Sequence, residues 1–461
     1  MIVRTPDGQV RGEPTATGVR FRGIPYAAAP EGALRFAAPA PAPSWEGVRD
    51  ARAAGPTAPQ RRREIPGLDL SALVGDGWRP GPEYLTVDVW TPDPGAANLP
   101  VLVFVHGGAF LGGTGSAPVY DGTAFTRAGA VLVTVQYRLG IDGFLPLDGG
   151  ATNLGLRDQL AALRWVRESI AAFGGDPGNV TLFGESAGAI SVACLLGSPL
   201  SQGLFHRAIV QSGHANLVRG RAELDRVAQA AAHGLGVEPA AEAFRRLTTE
   251  QLLDAQDALL KPGGGPDLRD TGGRDRGFGL SPFLPVVGDD VLPEHPGEAI
   301  RGGAGAGVDL VAGTCREEML LYFGPSGLLD VLTDEQAVAM LSASHPDAAG
   351  VLESYGLGGG RNTGEVFVEA MTDLVFRDGV KELLENHRGR SFGYEFAWRA
   401  PKLGACHGME LPFVFDSLAA SAALVGDDAP AELAREVNGA WVRFAATGDP
   451  GWAPGTTTTL G

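Results

Sequence analysis

The sequence is poor in cysteine and has no long apolar run. Its 461 residues include 3 cysteines, which are too few and too scattered for a disulfide framework or a cysteine metal site. No hydrophobic stretch approaches the length that crosses a bilayer, and the first residues lack the apolar segment of a signal peptide. We therefore expect a cytoplasmic protein that is not inserted in a membrane.

Positive charge is also scarce. The chain carries 37 lysine and arginine residues against 54 aspartate and glutamate residues, which gives a formal net charge of −17. An acidic surface repels nucleic acid phosphates and anionic lipid headgroups. The short basic run at residues 61–63 is accordingly expected to be a solvated loop. We expect neither nucleic acid nor a membrane as a partner.

The most informative stretch is VTLFGESAGAI, at residues 180–190. Apolar residues typical of a strand lead into GESAG, and small residues typical of a helix follow. A G-x-S-x-G turn in this context bends the backbone sharply and exposes its serine, because the glycines have no Cβ to collide with the strand or the helix. The pattern predicts that Ser186 is a nucleophile, with an ordinary strand-to-helix turn as the alternative.

Buried-strand patterns alternate with helical periodicity along much of the chain. An amphipathic helix is predicted at residues 153–177, where leucines recur every three or four positions. Such alternation predicts a mostly parallel sheet with helices on both faces. The chain is interpreted as one domain, residues 1–461, with largely helical cap insertions at about 215–300 and 320–390. The predicted strands include residues 101–105, 130–140, 180–183 and 205–213.

A serine nucleophile needs a base, and the base needs an orienting anion. In a parallel sheet these groups gather at the carboxyl ends of strands. Among the 8 histidines, His106 and His407 follow strand patterns closely, and His214 lies just past another strand as a possible binding group. We prefer His407 as the base because it follows the serine in the chain, as the G-x-S-x-G site order requires. His106 is expected to shape the glycine turn beside it.

The acid is expected between Ser186 and His407 in the chain, just past a strand. Glu317 and Glu318 both qualify. The residues alone do not choose between these neighbours, because one side chain points inward and the other outward. The HGGA stretch at residues 106–109 has small side chains, so its backbone N–H groups are suited to meet a developing oxyanion.

Taken together, these blocks resemble the type-B carboxylesterase/cholinesterase family of α/β-hydrolases, in particular its bacterial para-nitrobenzyl-esterase-like members. The resemblance implies an α/β-hydrolase fold and the hydrolysis of small-molecule carboxylic esters, without a metal or an organic cofactor. It leaves the oligomeric state open. The matching stretches are FRGIPYAAAP…LRF (residues 21–36), VFVHGGAF (103–110), NLGLRDQLAALRWV…FGESAGA (153–189), AIVQSG (208–213), GTCREE (313–318) and GACHGMELPFVF (404–415).

The resemblance implies a catalytic triad of Ser186, Glu318 and His407. The family places its acid in a pattern like G-T-x-R-D-E-G, in which Glu318 takes the position of the catalytic glutamate. Met319 replaces the final glycine of that pattern. Activity is then expected to fall on acidification through a His407 pKa of roughly 6 to 7.

The resemblance also implies the groups around the triad. The oxyanion donors are the backbone N–H groups of Gly108, Ala109 and Ala187. Glu185 corresponds to a family glutamate that shapes the electrostatics of the site, and Ser212 corresponds to a serine that lies near the acid.

Substrate selectivity is less defined by the sequence. Cholinesterase activity is not expected, because Trp78 is out of register with the family's aromatic choline-binding residue and Tyr84 stands where vertebrate members have a loop-closing cysteine. Amide, carbamate or lactone hydrolysis would use the same triad, since acyl specificity depends on the cap. A non-catalytic interaction module is disfavoured, because serine, glutamate and histidine are all present.

Overall fold

The computed structural model describes residues 1–62, 64–65, 67–261 and 263–461. Its strands are β1 Ile2–Arg4, β2 Gln9–Arg11, β3 Glu13–Thr15, β4 Gly18–Pro25, β5 Val48–Asp50, β6 Thr86–Thr91, β7 Leu99–Val105, β8 Val131–Val135, β9 Gly175–Glu185, β10 Arg207–Gln211, β11 Asp309–Cys315, β12 Ser391–Phe396 and β13 Thr457–Leu460.

The helices lie between these strands. A π-helical turn, Asp373–Arg377, separates two of them. The α-helices are α1 Ser71–Val74, α2 Thr123–Arg127, α3 Gly140–Phe144, α4 Leu154–Ser169, α5 Ala187–Gly197, α6 Arg221–Leu235, α7 Ala241–Arg245, α8 Thr249–Leu260, α9 Pro296–Gly302, α10 Leu320–Phe323, α11 Leu328–Val331, α12 Asp334–Ser342, α13 Ala348–Ser354, α14 Thr363–Thr372, α15 Asp378–Asn386, α16 Leu411–Val414, α17 Ala422–Val425 and α18 Ala431–Thr447. Short 3₁₀ helices are Gly32–Leu34, Pro118–Tyr120, Ile170–Phe173, Pro199–Ser201 and Leu418–Ser421.

One large sheet organises the molecule. Its strand order is β13-β12-β11-β10-β9-β7-β8-β6-β4-β3. The strands from β13 to β8 run parallel to one another, whereas β6, β4 and β3 continue the sheet in antiparallel pairs. A smaller sheet of β1, β2 and β5 lies apart from it. The mostly parallel sheet predicted from the sequence is therefore confirmed.

The strands β7 and β8 occupy the middle of the sheet because both of their faces are apolar, apart from Thr134 of β8. Residues 101–105 and 131–135 are buried throughout. Alternate side chains of β7 enter two different cores, with Val103 on one face of the sheet and Phe104 on the other. Each fully buried side chain of this size contributes about 1.5–3 kcal/mol. A strand of this kind needs helices on both faces of its sheet.

Helix α4 forms as predicted but ends earlier than the pattern indicated. Its buried stripe includes Leu156, Leu160 and Leu163, with arginines on the opposite side. A 3₁₀ turn follows, and Gly174 closes it with a left-handed backbone (φ +84°). Strand β9 then begins at Gly175. It is longer than the strand predicted at residues 180–183, because residues before Val180 also pair with β7.

The helical segments predicted as cap insertions lie between strands of the large sheet. Helices α6 to α9 connect β10 to β11, and helices α10 to α15 connect β11 to β12. The second segment buries a small core of its own, largely built from apolar side chains of α12, α13 and α14. No helix in the described part of the chain is long and apolar enough to cross a membrane.

The basic run at residues 61–63 is partly engaged with the first of these segments. Arg61 makes ion pairs with Glu250, Asp254 and Asp257 on α8, at N–O distances of 2.8, 2.6 and 3.2 Å. Its side chain is still 38% exposed, so each pair contributes little to stability. Arg63 lies outside the described residues.

Candidate active site

The GESAG turn joins β9 to α5 and holds Ser186 in an unusual backbone conformation. The φ and ψ angles of Ser186 are 55° and −121°, a region that residues with a Cβ rarely adopt. Such a conformation costs about 1–3 kcal/mol and persists only when the surroundings enforce it. Here the Ser186 N–H donates to Gln211 O at 2.9 Å, and the Ile190 N–H donates to Ser186 O at 2.9 Å. The half-buried serine therefore stands between two strands and the first turn of a helix.

The two glycines of the turn are needed because backbone approaches them closely. A Cβ on Gly188 would lie 1.9 Å from Val105 O, and a Cβ on Gly184 would lie 2.6 Å from Gly188 C. Both distances are far below van der Waals contact. The turn is thus packed directly on the end of β7.

We expect Gly188→Ala to lower the free energy of unfolding by about 2–3 kcal/mol or more, because an added methyl group must displace the β7 backbone. Gly234→Ala is the matched control, since a Cβ added at this position of α6 would meet no neighbouring atom within 4 Å. That change should be neutral or stabilise the protein by up to about 1 kcal/mol. Urea unfolding measures both. Equal stabilities of the two variants would contradict the packing argument.

His407 and Glu318 form a tight buried pair behind the serine. The His407 Nδ1 and Glu318 Oε2 atoms are 2.5 Å apart. The other carboxylate oxygen, Oε1, accepts hydrogen bonds from Ser212 Oγ at 2.6 Å and from the Cys315 N–H at 2.7 Å. Glu318 is fully buried. Its carboxylate is therefore fixed by three partners and points at the imidazole ring.

The neighbouring Glu317 points the other way. Its carboxylate makes an ion pair with Arg399 and accepts a hydrogen bond from the Ala405 N–H at 3.0 Å. The sequence did not decide between Glu317 and Glu318 as the acid, and the structure brings Glu318 to His407. Met319, in place of the family's glycine, is buried in the small core beside this loop.

The second imidazole nitrogen, Nε2, lies beside another carboxylate. His407 Nε2 lies 3.2 Å from Glu185 Oε1, and it receives no hydrogen bond from the described residues. Ser186 lines the same cavity as His407. A serine–histidine hydrogen bond is often long before substrate binds, so this arrangement is compatible with proton transfer between them.

Two carboxylates change the proton affinity of His407. Burial alone would lower its pKa, but Glu185 and Glu318 outweigh burial and raise the pKa to about 9. Burial in turn raises the pKa of Glu185 to about 8, although the His407 charge opposes that shift. The pKa of His407 in the free protein is therefore higher than the value of roughly 6 to 7 expected for an unperturbed imidazole.

We expect Glu185→Gln to move the acidic limb of the kcat/KM–pH profile to lower pH by about one unit or more. The base must be neutral to accept a proton, so activity rises with pH through the His407 pKa. Removing the nearby negative charge lowers that pKa, and the rise then occurs at lower pH. A p-nitrophenyl ester assayed from pH 5 to 10 measures the limb. An acidic limb at the same pH in Glu185→Gln and in the parent protein would refute this role of Glu185.

The HGGA stretch forms a strained loop against Ser186. Ala109 and Phe110 both have a left-handed backbone, with φ angles of 57° and 58°. Gly108 and Ala109 line the cavity together with Ala187, which begins helix α5 and so carries one of the helix's unpaired N–H groups. These positions are the ones that the family pattern implied for oxyanion donors.

Contacts from distant segments hold this loop in place. The Gln60 side chain exchanges two hydrogen bonds with the Gly113 backbone, at 2.7 and 2.9 Å. The His106 ring lies 2.8 Å from Gly107 O through Nδ1 and stacks on Tyr137, in agreement with its expected role in the turn. Gln60 was not predicted from the sequence, because nothing local marks a buried amide in an irregular segment.

These residues surround a cavity of about 200 Å³. Its remaining walls are mainly apolar and come from the two helical segments between β10 and β12 and from residues 64, 65, 70, 73 and 74. Glu318 and Ser212 lie behind His407, outside the lining. His214 is not part of the lining either, and its Nε2 is 2.9 Å from Val375 O. In the part of the chain that the structure describes, no cluster of side chains is arranged to hold a metal ion. The lining includes Leu73, Tyr120, Ile190, Leu217, Leu280, Leu284, Leu321, Tyr322, Phe376 and Leu411.

Comparison with known proteins places this chain in a family. The model of the carboxylesterase family matches residues 1–458. The chain belongs to the carboxylesterase family. It is similar to the para-nitrobenzyl esterase of Bacillus subtilis (strain 168), with 39% identity over 97% of this chain and 90% of that protein. It is also similar to the phenmedipham hydrolase of Pseudarthrobacter oxydans, with 33% identity over 93% of this chain and 86% of that protein.

Solved structures agree with this assignment. A PNB esterase structure superposes with a TM-score of 0.85 and 35% identity, over 100% of this chain and 96% of that chain. The α/β-hydrolase fold and the resemblance found in the sequence are thereby confirmed. This carboxylesterase is a carboxylic ester hydrolase.

Proposed function

We propose that the carboxylesterase hydrolyses its esters by double displacement on Ser186, with His407 as general base and Glu318 as the orienting carboxylate. The observation that carries this proposal is the 2.5 Å contact between His407 and the buried Glu318, on the wall of the cavity that also holds Ser186. A histidine fixed in this way presents its other nitrogen to the serine side of the cavity.

In the first half of the reaction, Ser186 Oγ attacks the ester carbonyl carbon while His407 Nε2 takes the hydroxyl proton. The carbonyl oxygen becomes an oxyanion that accepts hydrogen bonds from the backbone N–H groups of Gly108, Ala109 and Ala187. The oxyanion collapses, the bond to the alcohol oxygen breaks, and His407 gives its proton to that oxygen. The alcohol leaves, and the acyl group remains on Ser186.

In the second half, water replaces the alcohol. His407 takes a proton from the water molecule as the water oxygen attacks the acyl carbon, and the same N–H groups hold the second oxyanion. His407 then protonates Ser186 Oγ as the acid departs. The transient imidazolium lies against the Glu318 carboxylate, which stabilises it.

The electrostatics of the site support this assignment. Backbone donors fixed in a largely apolar cavity stabilise a developing charge more strongly than water would, and removal of one such donor typically costs about 10²–10³-fold in rate. The strained loop at residues 108–110 is held from outside, so its N–H groups need no rearrangement when the charge appears. Ser212 and Glu185 are assigned supporting roles, through the Glu318 carboxylate and the His407 pKa respectively.

We also infer that the chain is one domain, residues 1–461, whose insertions at about 215–300 and 320–390 cap the site. Side chains from both insertions, such as Leu284 and Tyr322, line the cavity. The proposed partner is a small-molecule ester in the cytoplasm. The net charge of −17 supports the view that neither nucleic acid nor a membrane is a partner.

The test is hydrolysis of p-nitrophenyl acetate and p-nitrophenyl butyrate at pH 7.5, with and without a fluorophosphonate, followed by mass spectrometry of the labelled peptide. Turnover that is abolished by a single adduct on Ser186 supports the proposal. An adduct at another residue, or turnover that persists when Ser186 is fully labelled, would overturn it.

A further inference from the structure

One wall of the cavity is built from a segment without regular secondary structure. Apart from Pro262, which is not described, residues 261–295 contain neither helix nor strand. Gly277, Leu280, Ser281 and Leu284 from this segment line the cavity, and we call them the cap wall. No ladder of backbone hydrogen bonds fixes such a wall, so other contacts must determine its position.

A buried ion pair provides those contacts. Arg219, in the chain just after β10, has a side chain only 2% exposed, and its Nη2 lies 2.8 Å from Asp275 Oδ1. The same guanidinium donates to Ser281 O at 3.2 Å and to Leu268 O at 3.4 Å. A single side chain thus contacts the segment before the cap wall, at Leu268 and Asp275, and within it, at Ser281.

Asp275 shapes the wall from within. Its carboxylate accepts hydrogen bonds from the Gly277 N–H at 2.9 Å and from the Gly279 N–H at 3.1 Å. Its own N–H donates to Ser344 O at 3.0 Å, two residues beyond the end of helix α12. Asp275 therefore connects the cap wall both to Arg219 and to the segment that follows helix α12.

The wall is in direct contact with the guanidinium. A Cβ on Gly277 would lie 2.5 Å from Arg219 Nη2. The Arg219 backbone also bonds to the segment beyond the wall, since its N–H donates to Pro285 O at 2.9 Å and its carbonyl accepts from the Val287 N–H at 3.0 Å. A displacement of the Arg219 side chain would therefore move the cavity surface itself.

Such a pair is better suited to positioning than to stabilisation. Taking both charges out of water consumes much of their mutual attraction, so an apolar pair of similar size could be as stable. The planar fork of arginine, in contrast, fixes a carboxylate and two carbonyl oxygens in defined directions. This combination favours one shape of the wall over others.

The groups that the other parts of the ester must reach leave the cap wall as the surface that we assign to the acyl group. The leaving alcohol must reach His407, whose ring is contacted by Tyr322 and Phe376. The carbonyl oxygen must reach the N–H groups at residues 108–109 and 187. Leu217 and Ile190 line the cavity together with the cap wall and Ser186.

Resting on the proposed function, we propose that the Arg219–Asp275 ion pair positions the cap wall and thereby sets the length of acyl chain that the esterase accepts. Arg219 and Asp275 are positioning residues, because they act on the substrate through Gly277 and Ser281. The cavity of about 200 Å³ predicts that the parent protein prefers short acyl chains.

The test compares kcat/KM for p-nitrophenyl acetate, butyrate, hexanoate and octanoate in Arg219→Met, Asp275→Asn and the double variant. We expect the octanoate-to-acetate ratio to rise about tenfold in each, the scale on which an apolar pocket discriminates chain length. A second series of acetate esters with different alcohols should change much less. Asp275→Asn keeps the side-chain volume, so it gives the same readout if Arg219→Met does not fold.

The matched control is Arg35→Met. Arg35 also makes a largely buried ion pair, with Asp142 at 2.8 Å, and donates to Leu247 O at 2.8 Å, but it does not line the cavity. This variant should lose thermal stability without a change in the acyl ratio. An unchanged ratio in active Arg219 and Asp275 variants, a change in the alcohol series instead, or an equal change in Arg35→Met would overturn the proposal. Failure of the proposed function would differ, since Ser186 would then not be labelled in the parent protein.

Discussion

Ser186→Ala is expected to lower kcat for p-nitrophenyl acetate by about 10⁴-fold or more. Without the hydroxyl group no acyl intermediate forms, and water must attack directly, with only the oxyanion donors and binding to assist it. The strained backbone at Ser186 accepts alanine as readily as serine, so folding should be preserved. Steady-state kinetics together with thermal unfolding measure both effects.

Ser342→Ala serves as the control, because its hydroxyl is exposed on α12 and bonds only to Val338 O among the described contacts. That variant should match the parent protein in kcat. Ser186→Ala that retained kcat within tenfold would remove Ser186 from the mechanism. A loss of activity with simultaneous loss of the thermal transition would instead indicate that the turn had misfolded.

Glu318→Gln is expected to lower kcat by about 10³–10⁴-fold. The amide carries no charge to stabilise the imidazolium, and its NH₂ group cannot accept from His407 Nδ1. If the amide rotates so that its NH₂ group points away from His407, that group meets the Ser212 hydroxyl and the Cys315 N–H. Both of these groups donate to Oε1 of Glu318 in the parent protein. The histidine would therefore lose either its orientation or its tautomer.

Glu317→Gln is the matched control, since it makes the same carboxylate-to-amide replacement at the adjacent residue. Its carboxylate contacts Arg399 and the Ala405 N–H, so we expect kcat to stay within about threefold of the parent value, as for an exposed ion pair. The kcat values of the two variants, measured at the same pH, decide which glutamate is the acid of the triad. A large loss in Glu317→Gln with little loss in Glu318→Gln would reverse the assignment.

Much of the fold could be predicted because its signals are local. The apolar run at residues 101–105 has no polar face, so it must lie inside a sheet, and the GESAG turn needs a strand before it and a helix after it. Element ends were less predictable. Strand β9 starts at Gly175 because β7 pairs with it, and that pairing depends on a segment far away in the chain.

The site was predictable in outline for a different reason. Ser186 and His407 stand where the chemistry of a parallel sheet requires them, and the family resemblance gave the preference for Glu318. The proton affinity of His407 was not predictable, because it depends on how closely Glu185 approaches Nε2. The contacts of Gln60 with Gly113 and of Arg219 with Asp275 are also long-range, and no local pattern announces them.

The small core of α12, α13 and α14 has a consequence for how new substrates can be acquired. Leu280 and Tyr322 line the cavity and also pack against this core, while the strands of the sheet take no part in it. Substitutions there can reshape the cavity at a limited cost to the framework that carries Ser186. Selection for a different ester can therefore act on one region of the gene while the catalytic scaffold drifts little. Such a separation makes the fold a favourable starting point for directed evolution.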